Sequence, residues 1–261
     1  MSDFFLKMNE DYVQKHFPNG SVFEGATRTI KRRSIVAIFS FGIIFLGALF
    51  GLAWAIGTTM EDVSKGQNDM LGVDIAICVF CGLVALGFFV VLLLLIKEGR
   101  KTGSDYIASS AKNSKLPKSE IETFERQAVS SDCYILKLTA GLDRVLSKGT
   151  NKDGLLTRDY IYLSDAAQIV IRVKDLKACC FSEYTYYINT GKISKKIHCL
   201  AICLIASNGD SVLSDITEKA GQALMALLKE RNNAIDTNDG KVLPEGAFDS
   251  YKKRILLCSN Q

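Results

Sequence analysis

Histidine is nearly absent: in 261 residues there are two, His16 and His198. Neither sits in an HExxH or similar ligand spacing, so no histidine-based zinc signature is present. GxSxG is missing, and so is any glycine loop built to cradle phosphate, which removes the signatures of α/β-hydrolases and of P-loop nucleotide binders. Acidic residues are plentiful, yet no carboxylate pair stands out by spacing. The expectation is a protein without catalysis and without a cofactor. The net charge of +4 is too modest for a nucleic-acid binder.

Charge is missing altogether from two long stretches. Ser34 to Gly57 (SIVAIFSFGIIFLGALFGLAWAIG) has none, and neither has Ile75 to Ile96 (IAICVFCGLVALGFFVVLLLLI). Each runs past 20 residues, enough at about 1.5 Å per residue to cross a hydrocarbon layer of ~30 Å. A core helix of a soluble domain rarely stays apolar on all sides for so long. The reading is a transmembrane hairpin over residues 34–96, with spans at 34–57 and 73–96. No charged residue lies in mid-span, Asp74 standing at the entrance, which argues against an ion or proton pathway.

The flanks give a direction. Arg28, Lys31, Arg32 and Arg33 precede the first span, and Lys97, Arg100 and Lys101 follow the second. The connecting loop carries Glu61, Asp62 and Asp69 against Lys65. Positive flanks favour the cytoplasmic side, so both termini are expected inside a cell membrane and the short acidic loop outside. Trp54 fits an interfacial aromatic belt. AWA at 53–55 has the form of a signal-cleavage site, but the run is too long and a second span follows.

Cys78 and Cys81 have the spacing of a metal or redox pair. Inside hydrocarbon the thiolate a metal needs is disfavoured, and a neutral Cys behaves there as a small apolar side chain. Packing is therefore expected. Gly47, Gly51 and Ala55 lie four apart and share a face, with Cys78 and Gly82 as a matching small pair on the second span. Contact within the hairpin is the expected use; a homodimer contact is the open alternative. The other six cysteines (133, 179, 180, 199, 203 and 258) fall in the part assigned to the cytoplasm, where thiols stay reduced.

Residues 1–33 are read as a cytoplasmic amphipathic segment. Ser2 or Asp3 would cap a helix carrying Phe5, Met8, Tyr12 and His16 on one face, ended by Pro18–Asn19–Gly20. That helix would lie on the bilayer or dock on the larger domain. Residues 97–118 read as a basic juxtamembrane linker. A helix then starts near Pro117, where Ser119 to Glu122 has the form of a capping box.

Residues 119–261 form the remaining domain. CYILKL, RDYIYLS, QIVIRVKDL, KACCFSEYTYYI, KKIHCLAICLIAS and DSVLSDI read as strands, several of them separated by the turn signals GTNKDG, NTGK and SNGD. TEKAGQALMALLKERN follows as an amphipathic helix with Ala220, Leu224, Leu227 and Leu228 on its apolar stripe and Thr217 or Asp215 as cap. The fold class is thus a membrane protein: a two-helix hairpin plus a cytoplasmic α+β domain, a curled antiparallel sheet capped by a C-terminal helix.

This succession resembles the pleckstrin-homology-like domains of bacterial membrane proteins. More particularly, residues 34 to 255 are similar to a group of two-span proteins from Firmicutes-type bacteria. Lys174, Asp175 and Leu176 match that group's step into a strand, Glu230 and Arg231 its helix end, and Gly246 and Tyr251 its tail. Where the group often has an aromatic after the step, this chain has Ala178, Cys179 and Cys180. The resemblance implies a PH-like fold and a membrane location, and no activity.

Two surfaces are candidate sites. A hairpin turning at Thr190–Gly191 would set Cys180 opposite Ala201, with Cys199 and Cys203 as diagonal neighbours on one face and His198 on the other. Three thiols within reach could hold a soft metal or sense oxidant; a one-residue slip would exchange Cys180 for Cys179, and core packing is the plainer use. At the hairpin tip Lys192, Lys195 and Lys196 cluster beside Tyr186 and Tyr187, a set suited to an anionic lipid headgroup. The expected function is a membrane-anchored binding or scaffolding module recognising a protein partner, such as another membrane protein, or an anionic headgroup. The alternative is a thiol- or metal-responsive membrane sensor.

Overall fold

The computed structural model describes residues 5–65, 71–138, 153–164, 168–189 and 194–258. The chain divides into a helical unit, Thr27–Thr102, and a globular unit built from Met1–Ala26 together with Gly103–Gln261.

The helical unit consists of most of α2 (Val22–Ser64) and all of α3 (Leu71–Gly99). On each helix one run of covered positions advances in alternating steps of three and four. On α2 they are Ser34, Ile38, Phe41, Phe45, Ala48, Leu52, Ala55, Thr59 and Asp62. On α3 they are Leu71, Asp74, Cys78, Cys81, Ala85, Phe88, Leu92, Leu95 and Gly99. That is the 3.5-residue seam of two helices packed side by side. Ring contacts of Phe41 with Phe88 at 6.0 Å and Phe45 with Phe89 at 5.9 Å mark one end of the antiparallel register. Towards the other end Thr59 Oγ1 meets Cys78 Sγ at 3.7 Å. The CxxC spacing is therefore one step of the seam, with both thiols turned toward α2. The outer faces remain apolar and uncovered, with Phe39, Ile43, Phe50, Phe80 and Leu83 all more than 60% exposed.

In the globular unit the N-terminal residues enter as a strand. β1 (Phe5–Lys7) pairs antiparallel with β2 (Tyr134–Leu136), and α1 (Glu10–His16) follows, its cap being Asn9, whose side chain accepts from Tyr12 N at 2.8 Å. The expected helix from Ser2 or Asp3 thus starts later, because the backbone of residues 5–7 is taken up by the sheet. Pro18–Gly20 does end α1, with Asn19 and Gly20 at positive φ. The segment docks on its own domain. Tyr12 OH donates to Asp153 Oδ2 at 2.8 Å, and Phe23 is buried beside Phe124 and Tyr162.

The stretch expected as a linker is largely helix. α4 (Gly103–Ser114) buries Tyr106, Ser110 and Ser114. Ser110 Oγ donates to Gln168 O at 2.7 Å, and Ser114 Oγ accepts from Val170 N at 2.8 Å. α5 (Lys118–Ala128) starts directly after Pro117 without a side-chain cap, so the Ser119–Glu122 box does not form. Proline's fixed φ opens this helix instead.

Two sheets complete the unit. β2 continues antiparallel through β3 (Gly154–Leu156) and β4 (Tyr160–Tyr162) to β5 (Val170–Arg172). The second sheet has the order β8 (Ser211–Asp215), β7 (Ser194–Ala206), β6 (Leu176–Asn189), β9 (Val242–Leu243), with β9 parallel to β6. Both sheets share one core with α6 (Glu218–Arg231), where Leu224 and Leu228 are fully buried against Phe181, Ile202 and Leu204. Thr217 caps α6, accepting from Ala220 N at 3.4 Å, as its sequence predicts.

Strand alternation turns Ala178, Cys180, Cys203 and Ile205 to the opposite face. There a smaller cluster forms under α7 (Phe248–Cys258) with Leu243, Tyr251 and Ile255. Both faces of this sheet are covered, which accounts for the unbroken apolar texture of KACCF and AICLIA.

Candidate functional site

β6 and β7 outrun their neighbours. β8 pairs only with Ala201 to Ile205 and β9 only with Phe181 and Ser182. Beyond Tyr184 and Cys199 the two strands have each other as ladder partners, and exposure rises toward the tip. The result is a projecting two-stranded arm, a form that alone is marginally stable in water. Its root is fixed from the side. Tyr184 OH donates to Asp215, Tyr184 stacks on Tyr186 at 6.3 Å, and Thr185 Oγ1 donates to Glu245 Oε2 at 3.0 Å. Burial first, then the Asp215 carboxylate, pushes the Tyr184 hydroxyl well above its ordinary range.

The arm divides the expected headgroup set between two faces. Tyr187 pairs with Lys196, so they share a face with Thr185 and His198. Tyr186 pairs with Ile197 on the other, to which Lys195 also belongs by strand alternation. Tyr187 is 61% exposed, and Lys195 and Lys196 are both exposed. Lys192 and the expected Thr190–Gly191 turn lie outside the described residues.

The thiols are arranged differently from the expectation. β6 ends at Asn189 and β7 begins at Ser194, so four residues rather than two connect them, and the register moves by two. Ser182, not Cys180, faces Ala201, and Cys180 faces Cys203 directly. Cys199 faces Tyr184 four residues away along the strand and does not join the pair. Cys179 points to the other face, where burial raises its pKa far above the usual thiol value. Among the described residues no group of three His, Cys, Asp or Glu side chains is placed to hold a metal ion.

The Cys180–Cys203 pair is fully buried. The Cys203 thiol donates to Cys180, which lowers the Cys180 pKa against the opposing effect of burial, and the Tyr251 hydroxyl adds to the lowering. Cys203, as donor and buried, is raised far above its ordinary value. Tyr251 also donates to Asp236 Oδ1 at 3.0 Å. Its single proton serves one acceptor at a time, and the carboxylate holds it here. Asp236 escaped the sequence reading; Tyr251 appeared there only as a tail residue. The signal for both was a tyrosine in a short amphipathic segment beyond the last strand.

The helix-packing set is divided as well. Ala55 is buried and Cys78 meets Thr59. Gly47, Gly51 and Gly82 have no atom of the facing helix within 4 Å of where a Cβ would stand. Residues four apart drift off a 3.5-residue seam, so Ala48 and Leu52 take the places beside Ala55. The two histidines are held by neighbours: His16 lies tilted against Tyr12 with ring centroids 4.4 Å apart, and His198 Nδ1 lies 3.4 Å from Thr185 Oγ1.

A comparison of the chain with known protein families, with curated proteins and with solved structures finds no match.

Proposed function

We propose that the chain is a two-span membrane protein carrying a cytoplasmic, non-catalytic binding module of pleckstrin-homology-like form. The observation that carries this reading is the pair α2–α3. Within Ser34–Ser64 and Leu71–Gly99 the most apolar 18-residue stretches have mean hydropathies of 2.6 and 3.1, and the helices bury only a narrow seam. Their outer faces, with Phe50 at 76% and Phe39 at 72% exposure, are apolar surfaces that lipid would cover. A helix of 29 residues is about 44 Å long, sufficient for a hydrocarbon layer. Lys31 and Arg32 at one end and Glu61 and Asp62 at the other favour cytoplasmic termini.

The module's binding surface is the β6–β7 arm. Tyr187 with Lys196, and Tyr186 with Lys195 one pair further along, suit an anionic headgroup, each lysine being worth roughly 1 kcal/mol near such a surface. Fold and arm together support recognition at the membrane. Two experiments test it. In intact cells a membrane-impermeant maleimide should leave the exposed Cys258 unlabelled until the membrane is permeabilised; labelling without permeabilisation overturns the orientation. A photo-crosslinking residue at 187, in the full-length protein in native membranes, should capture anionic phospholipid, whereas one at 219 on α6 should not. Equal lipid capture at both positions removes the arm from the binding surface.

A further inference from the structure

The thiol pair supports a site that stands independently of the lipid-binding reading. We propose that Cys180 and Cys203 form a reversible dithiol–disulfide centre, oxidised by hydroperoxide and shielded by α7.

Three observations converge. The first is register: Cys180 and Cys203 are direct cross-strand partners. The backbone bonds flanking them fix their class. Cys179 N donates to Asp236 O, and Asp236 N donates to Lys177 O, so odd positions of β6 face Asp236 and even positions face β7. On β7, Ala206 N donates to Asp210 O and Leu200 O accepts from Ile216 N, so its odd positions face β6. Cys180 and Cys203 therefore exchange both ladder bonds, a pairing with Cα atoms about 5.5 Å apart, inside the ~4.4–6.8 Å range of disulfides. The second is enclosure: both side chains are fully buried in the same small cluster beneath α7.

The third is the cover. α7 reaches the pair through Tyr251 and Ile255, in a cluster of seven buried residues against twenty in the main core. Its polar ties include Tyr251 to Asp236 and Lys252 Nζ to Ser211 Oγ at 2.9 Å. A helix held on so small a cluster opens locally far more often than the domain unfolds.

The chemistry balances in two steps. The Cys180 thiolate attacks one peroxide oxygen; the O–O bond breaks, Cys180 becomes a sulfenic acid, and the second oxygen leaves as water with the proton that Cys180 gave up. Cys203 then attacks the Cys180 sulfur. The S–S bond forms, and the hydroxyl departs with the Cys203 thiol proton as a second water. A cellular thiol reverses the result by exchange, itself becoming a disulfide.

The test uses the full-length protein in detergent micelles with hydrogen peroxide. Free thiols are alkylated, the protein is denatured and digested, and disulfide-linked peptides are identified by mass spectrometry. A Cys180–Cys203 link that dithiothreitol removes is the expected result, and the wild-type map decides the pairing without any variant. In Cys203→Ser, Cys180 should be trapped as a dimedone-reactive sulfenic acid. Ile255→Ala, which loosens α7, should speed formation of the link by about tenfold or more. Recovery of Cys180 and Cys203 as free thiols under conditions that oxidise Cys258 overturns the proposal. So does over-oxidation of Cys180 to the sulfinic acid without the link.

Discussion

Gly221 lies in the first turn and a half of α6, where alanine would ordinarily be the better residue by about 1 kcal/mol. The packing reverses that preference. A Cβ built on Gly221 would stand 2.3 Å from Phe181 Cε1, 2.4 Å from Phe181 Cζ and 3.2 Å from Ile216 Cγ2. Carbon atoms rest at about 3.5–4 Å, so the ring would have to retreat by more than 1 Å. Phe181 is 1% exposed and sits among Ile202, Leu204 and Leu224 in the main core. Overpacking such a site costs about 1–3 kcal/mol, and an overlap this deep belongs at the upper end. Gly221→Ala should therefore destabilise the globular unit by about 2 kcal/mol net.

The assay follows from composition. The chain's one tryptophan, Trp54, is in α2, whereas all nine tyrosines lie outside Thr27–Thr102. Near-UV tyrosine dichroism during urea unfolding of the full-length protein in micelles thus reports on the globular unit alone. Ala226→Gly, on the exposed face of α6, calibrates the backbone effect at about 1 kcal/mol. Phe181→Leu combined with Gly221→Ala should be less destabilising than the sum of the two single changes. A rise in the unfolding midpoint for Gly221→Ala would refute the close approach of α6 to β6.

Cys133 is buried, and burial pushes its pKa up to about 12. The folded state then holds this proton more tightly than the unfolded chain, so the contribution of Cys133 to stability is intact below about pH 9 and declines by ~1.4 kcal/mol per pH unit toward pH 12. The stability difference between wild type and Cys133→Ala should shrink over that window in urea titrations; a constant difference would contradict the burial argument. Thr217→Ala removes the cap of α6 and should cost ~1 kcal/mol, read as faster amide exchange at Ala220 and Gly221. Unchanged exchange there would mean that the 3.4 Å bond contributes nothing.

The parts legible in the sequence were those held by local signals. β6, β7, β8 and α6 announced themselves through alternation, turn residues and a capped apolar stripe, and they appear within a residue or two of the expected positions. β1 was illegible because its partner β2 lies more than 120 residues away, and three residues are too few to show a period. β9 and α7 failed for a related reason. Two strand residues and a helix with only Tyr251 and Ile255 buried leave little pattern. The thiol pair was half legible. Strand alternation gave the right face, but the register depends on the number of residues in the connection, which turn propensity alone did not fix. The capping box failed because proline can open a helix with no side-chain cap, so the downstream Ser and Glu had no role to fill.

β1, α1 and the start of α2 precede the two apolar helices, and every other element of the globular unit follows them. The hairpin is in effect an insertion into a domain whose two pieces are made at different times. During synthesis the first strand must wait, unpaired, for more than a hundred further residues to leave the ribosome before its sheet exists. A truncated translation product would therefore carry both greasy helices and no completed domain.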